Sequence, residues 1–184
     1  MKFIIVIIVV IVLILLYVVS TRNKLVVARN RVEEQASHID VQLKRRFDLI
    51  PNLVETVKGY AKHEKSTLDD VIKARNAFSS ANNVEEELEA NNQVTGALNK
   101  LFALSESYPE LKANENFLQL QSDLKETEEK VAYARQFYND ALLSYNNLID
   151  LFPSNIIASI FNFKKIDFFK IDNVEERKAP QVKF

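Results

Sequence analysis

Residues 117–152 read FLQLQSDLKETEEKVAYARQFYNDALLSYNNLIDLF, and this stretch decides the fold. Within it Phe117, Leu120, Leu124, Thr127, Val131, Ala134, Tyr138, Ala141, Tyr145, Leu148 and Phe152 follow one another at alternating spacings of three and four. Only an α-helix brings such a series onto one face. Kept up over about five heptads, the face is a seam made for neighbouring helices. Thr127, Ala134 and Ala141 place a small residue once per heptad, which suits close approach. Pro153 then stops the helix, because it has no N–H to give and its ring crowds the preceding turn.

The same periodicity extends toward the N terminus. A helix running to about Arg46 carries Leu25, Val32, Ala36, Ile39 and Leu43. Asp48 and Pro51 mark a boundary, since Asp caps helices and Pro is tolerated in a first turn. A second helix, with Val54, Val57, Ala61, Leu68, Val71 and Phe78, reaches the turn at Ser79–Asn83. A third carries Val84, Leu88, Thr95, Leu98 and Phe102 and ends before Tyr108–Pro109. The alternative treats Pro51 as a kink in one helix from Leu25 to Phe78. At ~1.5 Å per residue that helix measures ~80 Å, against ~57 Å for its longest partner, so four helices are preferred. The expected fold class is therefore all-α: a transmembrane anchor (1–21), an up-down-up-down four-helix bundle (22–152) and a Phe-rich C-terminal tail (153–184).

The anchor is the apolar run Phe3–Val19, closed by Ser20-Thr21-Arg22. It spans roughly 26 Å, close to the ~30 Å of a bilayer's hydrocarbon, and Tyr17 suits the interfacial belt. A cleaved signal has a shorter apolar core, although Val18 and Ser20 have the form of a cleavage pair. Lys2 flanks one side, while Arg22, Lys24, Arg29 and Arg31 flank the other. The positive-inside rule places the N terminus outside and the bundle in the cytoplasm.

Composition removes whole classes of function. Lys+Arg number 24 and Asp+Glu 25, giving a net charge of −1 and no basic surplus for nucleic acid. Cysteine is absent, so disulfides, thiolate metal sites and a Cys nucleophile are excluded. Gly59 and Gly96 are the only glycines, too few for a phosphate loop, a dinucleotide fingerprint or a nucleophile elbow. A di-metal bundle site needs two Glu-x-x-His units, but Gln35 and Tyr60 stand where the glutamates belong relative to His38 and His63. Glu34 and His38 read as a surface pair. Asp69-Asp70 and Glu85-Glu86-Glu87 read as solvated faces, the glutamates favoured in a first turn. No catalytic, cofactor-binding or metal-binding residue is assigned, and neither an enzyme nor a small-molecule substrate is expected.

Two surfaces remain as candidate contacts. Lys44-Arg45-Arg46 closes the first helix, where positive charge suits the dipole; its functional reading is contact with an anionic partner. Glu64 and Arg75 fall in an apolar stripe and are spaced to meet charged groups across the bundle. In the tail, six of the 12 Phe lie from Phe152 onward. A fourth helix returning to the membrane brings Ile156–Lys165 to the bilayer surface, with Phe161, Phe163, Lys164, Lys165, Phe168 and Phe169 as contact residues. The same residues also suit closure of the base of the bundle, or docking to another protein.

Several segments are similar to one known family. Ala28-Arg29-Asn30, Ile39–Arg46 (IDVQLKRR), Asp48–Val57 (DLIPNLVETV), Tyr108–Phe117 (YPELKANENF), Glu126-Thr127-Glu128 and Phe152-Pro153-Ser154-Asn155 resemble the LemA family, over nearly the whole chain. The resemblance implies a bacterial single-pass membrane protein with a helical-bundle domain. It implies no reaction and no catalytic residue. The expected function is a membrane-anchored scaffold or adaptor that contacts the lipid bilayer and an unidentified membrane or membrane-proximal protein, a second copy included. The alternative is a membrane-organising protein that acts on lipid through its anchor and tail.

Overall fold

The computed structural model describes residues 2–166, and among them every regular element is helical. The order is α1 (Lys2–Tyr60), α2 (Lys65–Ser79), α3 (Val84–Ser105), α4 (Pro109–Lys112), α5 (Glu115–Asp150) and α6 (Ser154–Ile160). The start of α1 is long and apolar enough to cross a membrane, and none of that stretch is buried against the rest of the protein.

The boundary expected at Asp48–Pro51 does not exist: α1 runs through Pro51 to Tyr60. Proline at 51 has no N–H for the Phe47 carbonyl one turn back. A neighbouring helix supplies the missing donor. Arg75 Nε of α2 donates to the Phe47 carbonyl at 3.4 Å. Phe78, next on α2, stacks its ring on Phe47 with centroids 3.9 Å apart. With its freed carbonyl satisfied from outside, the helix has no reason to end. The chain turns instead at 61–64, so the membrane-distal part of α1, from Ser20 to Tyr60, measures about 60 Å against about 54 Å for α5. Length matching therefore holds, with the turn displaced toward the C terminus.

The two long helices run antiparallel, as three pairings along their length show. At one end Asn114, which precedes α5, donates through Nδ2 to the Tyr60 hydroxyl at 3.0 Å. In the middle Arg46 pairs with Glu128. At the membrane end Leu25 shares a small apolar cluster with Leu148 and Ile149. The hairpin of α2 and α3 packs its own apolar stripe (Leu68, Val71, Leu88, Val94, Leu98, Leu101) into the same core as Leu43, Ile50, Leu53 and Val57 of α1.

Local signals fix the starts of α3 and α5. Asn83 Oδ1 accepts from Glu86 N at 2.9 Å, and the Glu86 carboxylate accepts from Asn83 Nδ2 and from Asn82 N. This reciprocal cap begins α3. The Asn82 backbone N–H holds the Glu86 carboxyl below the usual carboxylate range. Asn114 Oδ1 caps α5 by accepting from Phe117 N at 2.9 Å. The seam of α5 is buried at Phe117, Leu124, Thr127, Val131, Ala134, Tyr138, Ala141 and Tyr145, with Leu120 and Leu148 half-buried. Its expected last member departs from it. Phe152 lies beyond the end of α5 and is 78% exposed.

Candidate functional site

The basic triplet is divided by the helix that carries it. Successive residues turn by about 100°, so three neighbours cannot share one face. Lys44 and Arg45 are exposed, whereas Arg46 is only 3% exposed. Its Nη1 pairs with the Glu128 carboxylate and donates to Asn91 Oδ1 and, at 3.1 Å, to Thr95 Oγ1. Burial pushes the Arg46 guanidinium below its ordinary value, and Glu128 partly opposes that shift. Arg46 is thus an internal clamp joining α1, α3 and α5. Arg46 is therefore not available to the anionic partner expected of the triplet, and only Lys44 and Arg45 are exposed. A cavity of about 230 Å³ adjoins the clamp, lined in part by Phe102, Leu124 and Lys125.

Glu64 and Arg75 meet neutral groups across the bundle, not the charged ones expected from their spacing. Arg75 serves the Phe47 carbonyl. Glu64 accepts from the Tyr108 hydroxyl at 2.9 Å, tying the α1–α2 turn to the α3–α4 turn at the far tip. That bond raises the Tyr108 phenol above its ordinary value. Glu34 and His38 lie 4.0 Å apart and exposed, the surface pair their spacing implies.

The membrane end is where the structure gathers most of the tail residues. One face of α6, Ile157 and Ala158, is buried on Leu25 and packs against Val18 at the end of the apolar run. The chain then reverses in a Schellman turn: Phe163 N donates to the Ala158 carbonyl at 2.9 Å and Asn162 N to Ser159 at 3.1 Å. Asn162, at φ 57°, takes the left-handed position usually given to glycine. Beyond the turn, residues 163–166 form a strap held on α5. The Tyr145 hydroxyl donates to the Lys164 carbonyl at 2.9 Å, and Asn146 exchanges two bonds with the Ile166 backbone at 2.8 and 3.2 Å.

The six tail candidates therefore divide. Phe163 is half-buried and packs on the core. Lys165 pairs with Asp150 at 2.7 Å. Lys164 is exposed, and Phe161 is 42% exposed with the Arg22 guanidinium 5.3 Å above its ring. Phe168 and Phe169 lie outside the described residues. Sequence reasoning missed Asn146, whose only signal was a buried-face Asn beside the seam. Above the base, a groove of about 510 Å³ opens between α1 and α5, lined by Lys24, Val27 and Arg31 on one side and Ala141, Ser144 and Leu148 on the other.

The chain is 26% identical over 161 residues to Protein LemA of Metamycoplasma hominis, an alignment covering 85% of this chain and 72% of that protein. It is 25% identical to Magnetosome protein MamQ 2 of Paramagnetospirillum magneticum and 22% identical to Magnetosome protein MamQ of Magnetospirillum gryphiswaldense, covering 80% of this chain and 64% of each relative. The chain thus spans less than two thirds of those two magnetosome proteins. A family model described as the LemA family matches residues 35–184, most of the sequence. The chain belongs to the LemA family.

Proposed function

We propose that this chain is a membrane-tethered scaffold, a stiff helical rod that presents its surface to protein partners, itself included, and catalyses no reaction. The observation that carries this reading is the continuity of α1. One unbroken helix from Lys2 to Tyr60 is both the apolar span and the backbone of the folded part. Among the described residues no linker separates anchor from rod, so the height and tilt of the binding surface are set by the membrane. The distal half then serves as an up-down-up-down bundle bracing the rod. Arg22, Lys24, Arg29 and Arg31 favour its lying on the cytoplasmic side. Relatives named as magnetosome proteins support a role at a membrane. Tyr133 and Phe137, one turn apart on α5 and 63% and 59% exposed, are the residue type that anchors protein interfaces.

Crosslinking in intact membranes tests the proposal. The expected result is one specific product, with a partner or a second copy, that weakens in Tyr133→Ser/Phe137→Ser. Recovery of monomer alone contradicts it. The side of the membrane is read separately with Ser107→Cys and an impermeant maleimide, where labelling only after permeabilisation is expected and labelling of intact cells overturns the cytoplasmic placement.

A further inference from the structure

We propose that the base of the rod is a second membrane contact, in which the α5–α6 corner and the outer face of α6 lie in the interfacial layer of the leaflet from which α1 emerges. The occupant of this surface is lipid.

The height of α6 matches the edge of the apolar span. Ile157 and Ala158 share a cluster with Leu25, and Val18 packs against it. Val18 belongs to the apolar run that ends at Val19, so α6 lies level with the boundary between span and rod. The outer face of α6 and the corner before it are apolar. Ile156 and Ile160, one helical turn apart, are 50% and 68% exposed, and Leu151 and Phe152 just before them are 61% and 78% exposed. Four large apolar side chains thus crowd the end of the protein that abuts the bilayer. α6 itself (SNIIASI) carries no charge. Two exposed cations adjoin it, Arg22 over the Phe161 ring and Lys164 just past the turn, and these suit the phosphates above an interfacial helix.

The patch cannot fold away. The inner face of α6 is already committed to Leu25. Its exit is fixed by the Schellman turn, and the following strap is held by Tyr145, Asn146 and the Lys165–Asp150 pair. The face is therefore displayed by the fold. It differs from the Phe-rich contact suggested by the sequence: Phe163 turns inward, and the leading residues are Leu151, Phe152, Ile156 and Ile160. The inference stands apart from the scaffold reading, since partners can dock on the rod whether or not its base touches lipid.

The absence of cysteine allows a direct test on the full chain in phosphatidylcholine–phosphatidylglycerol vesicles. A nitroxide is placed singly through Phe152→Cys or Ile160→Cys, with Leu13→Cys as the reference inside the span and Leu118→Cys as the water-exposed reference on α5. Collision with oxygen and with a water-soluble nickel complex is then measured. The expected result is that positions 152 and 160 favour oxygen over nickel severalfold, on the side of Leu13. Nickel access equal to that at Leu118 overturns the proposal. So does protection from both reagents, which means that protein covers the patch. A second readout places the nitroxide at Ile156→Cys and introduces Phe152→Ser/Ile160→Ser, which removes only exposed groups; nickel access at 156 is expected to rise, and no change counts against the proposal.

Discussion

Pro51 sits inside α1 because Arg75 bonds the carbonyl that proline leaves free, and this link can be measured. Replacing Arg75 by Leu strands the Phe47 carbonyl. An unsatisfied buried acceptor costs about 1–3 kcal/mol. Here the bond is long, at 3.4 Å, and Arg75 is only half-buried, so the low end applies, about 1 kcal/mol. Replacing Pro51 by Ala restores an N–H at position 51 that bonds the same carbonyl within the helix. That change gains up to ~3 kcal/mol of helix propensity and loses ~1 kcal/mol through the freer unfolded chain, a net stabilisation of about 1–2 kcal/mol. In the Pro51→Ala background, Arg75→Leu then costs only a few tenths of a kcal/mol, a coupling of about 0.7 kcal/mol. Urea unfolding of the full chain in detergent micelles, followed by circular dichroism, reads all four corners of the cycle. Equal costs of Arg75→Leu in both backgrounds refute the link. Destabilisation by Pro51→Ala refutes the claim that the proline is merely tolerated.

Three further outcomes follow from the polar contacts. Arg46→Ala removes the clamp and leaves buried Asn91 unpaired, costing about 3–5 kcal/mol, whereas Arg46→Met with Asn91→Leu is expected within ~1 kcal/mol of the parent; urea midpoints decide. Asn146→Ala deletes both bonds to the Ile166 backbone and weakens the strap by about 1–2 kcal/mol, seen as faster hydrogen exchange at the Ile166 amide. Tyr108, held by Glu64, has a phenol raised above its ordinary value. Its contribution is complete below the ordinary tyrosine value of ~10 and is lost as pH rises through the raised one, so Tyr108→Phe should flatten the alkaline limb of a stability–pH profile.

The long helices were legible because their periodicity is strong. The α5 seam from Phe117 to Tyr145 is buried much as its spacing requires, and the apolar run of residues 3–19 forms the exposed start of α1. The join at Pro51 was not legible, because the partner that makes it tolerable lies on another helix, at Arg75. The same holds for Arg46. The two residues before it are cations, and only the packing of α3 and α5 supplies Asn91, Thr95 and Glu128 to bury it. In the tail, the sequence marked an apolar, aromatic segment at the membrane end. It did not reveal that Asn162 would reverse the chain and turn Phe163 inward while leaving Ile160 outside.

The central claim is that anchor and rod are one rigid helix. Electron–electron distance measurement between nitroxides at Val10→Cys and Lys44→Cys, in the full chain in lipid nanodiscs, tests it most directly. A continuous helix puts these positions about 51 Å apart at ~1.5 Å per residue, in a single narrow distribution. A broad distribution, or a mean many ångströms shorter, places a hinge near Ser20–Thr21 and contradicts the claim.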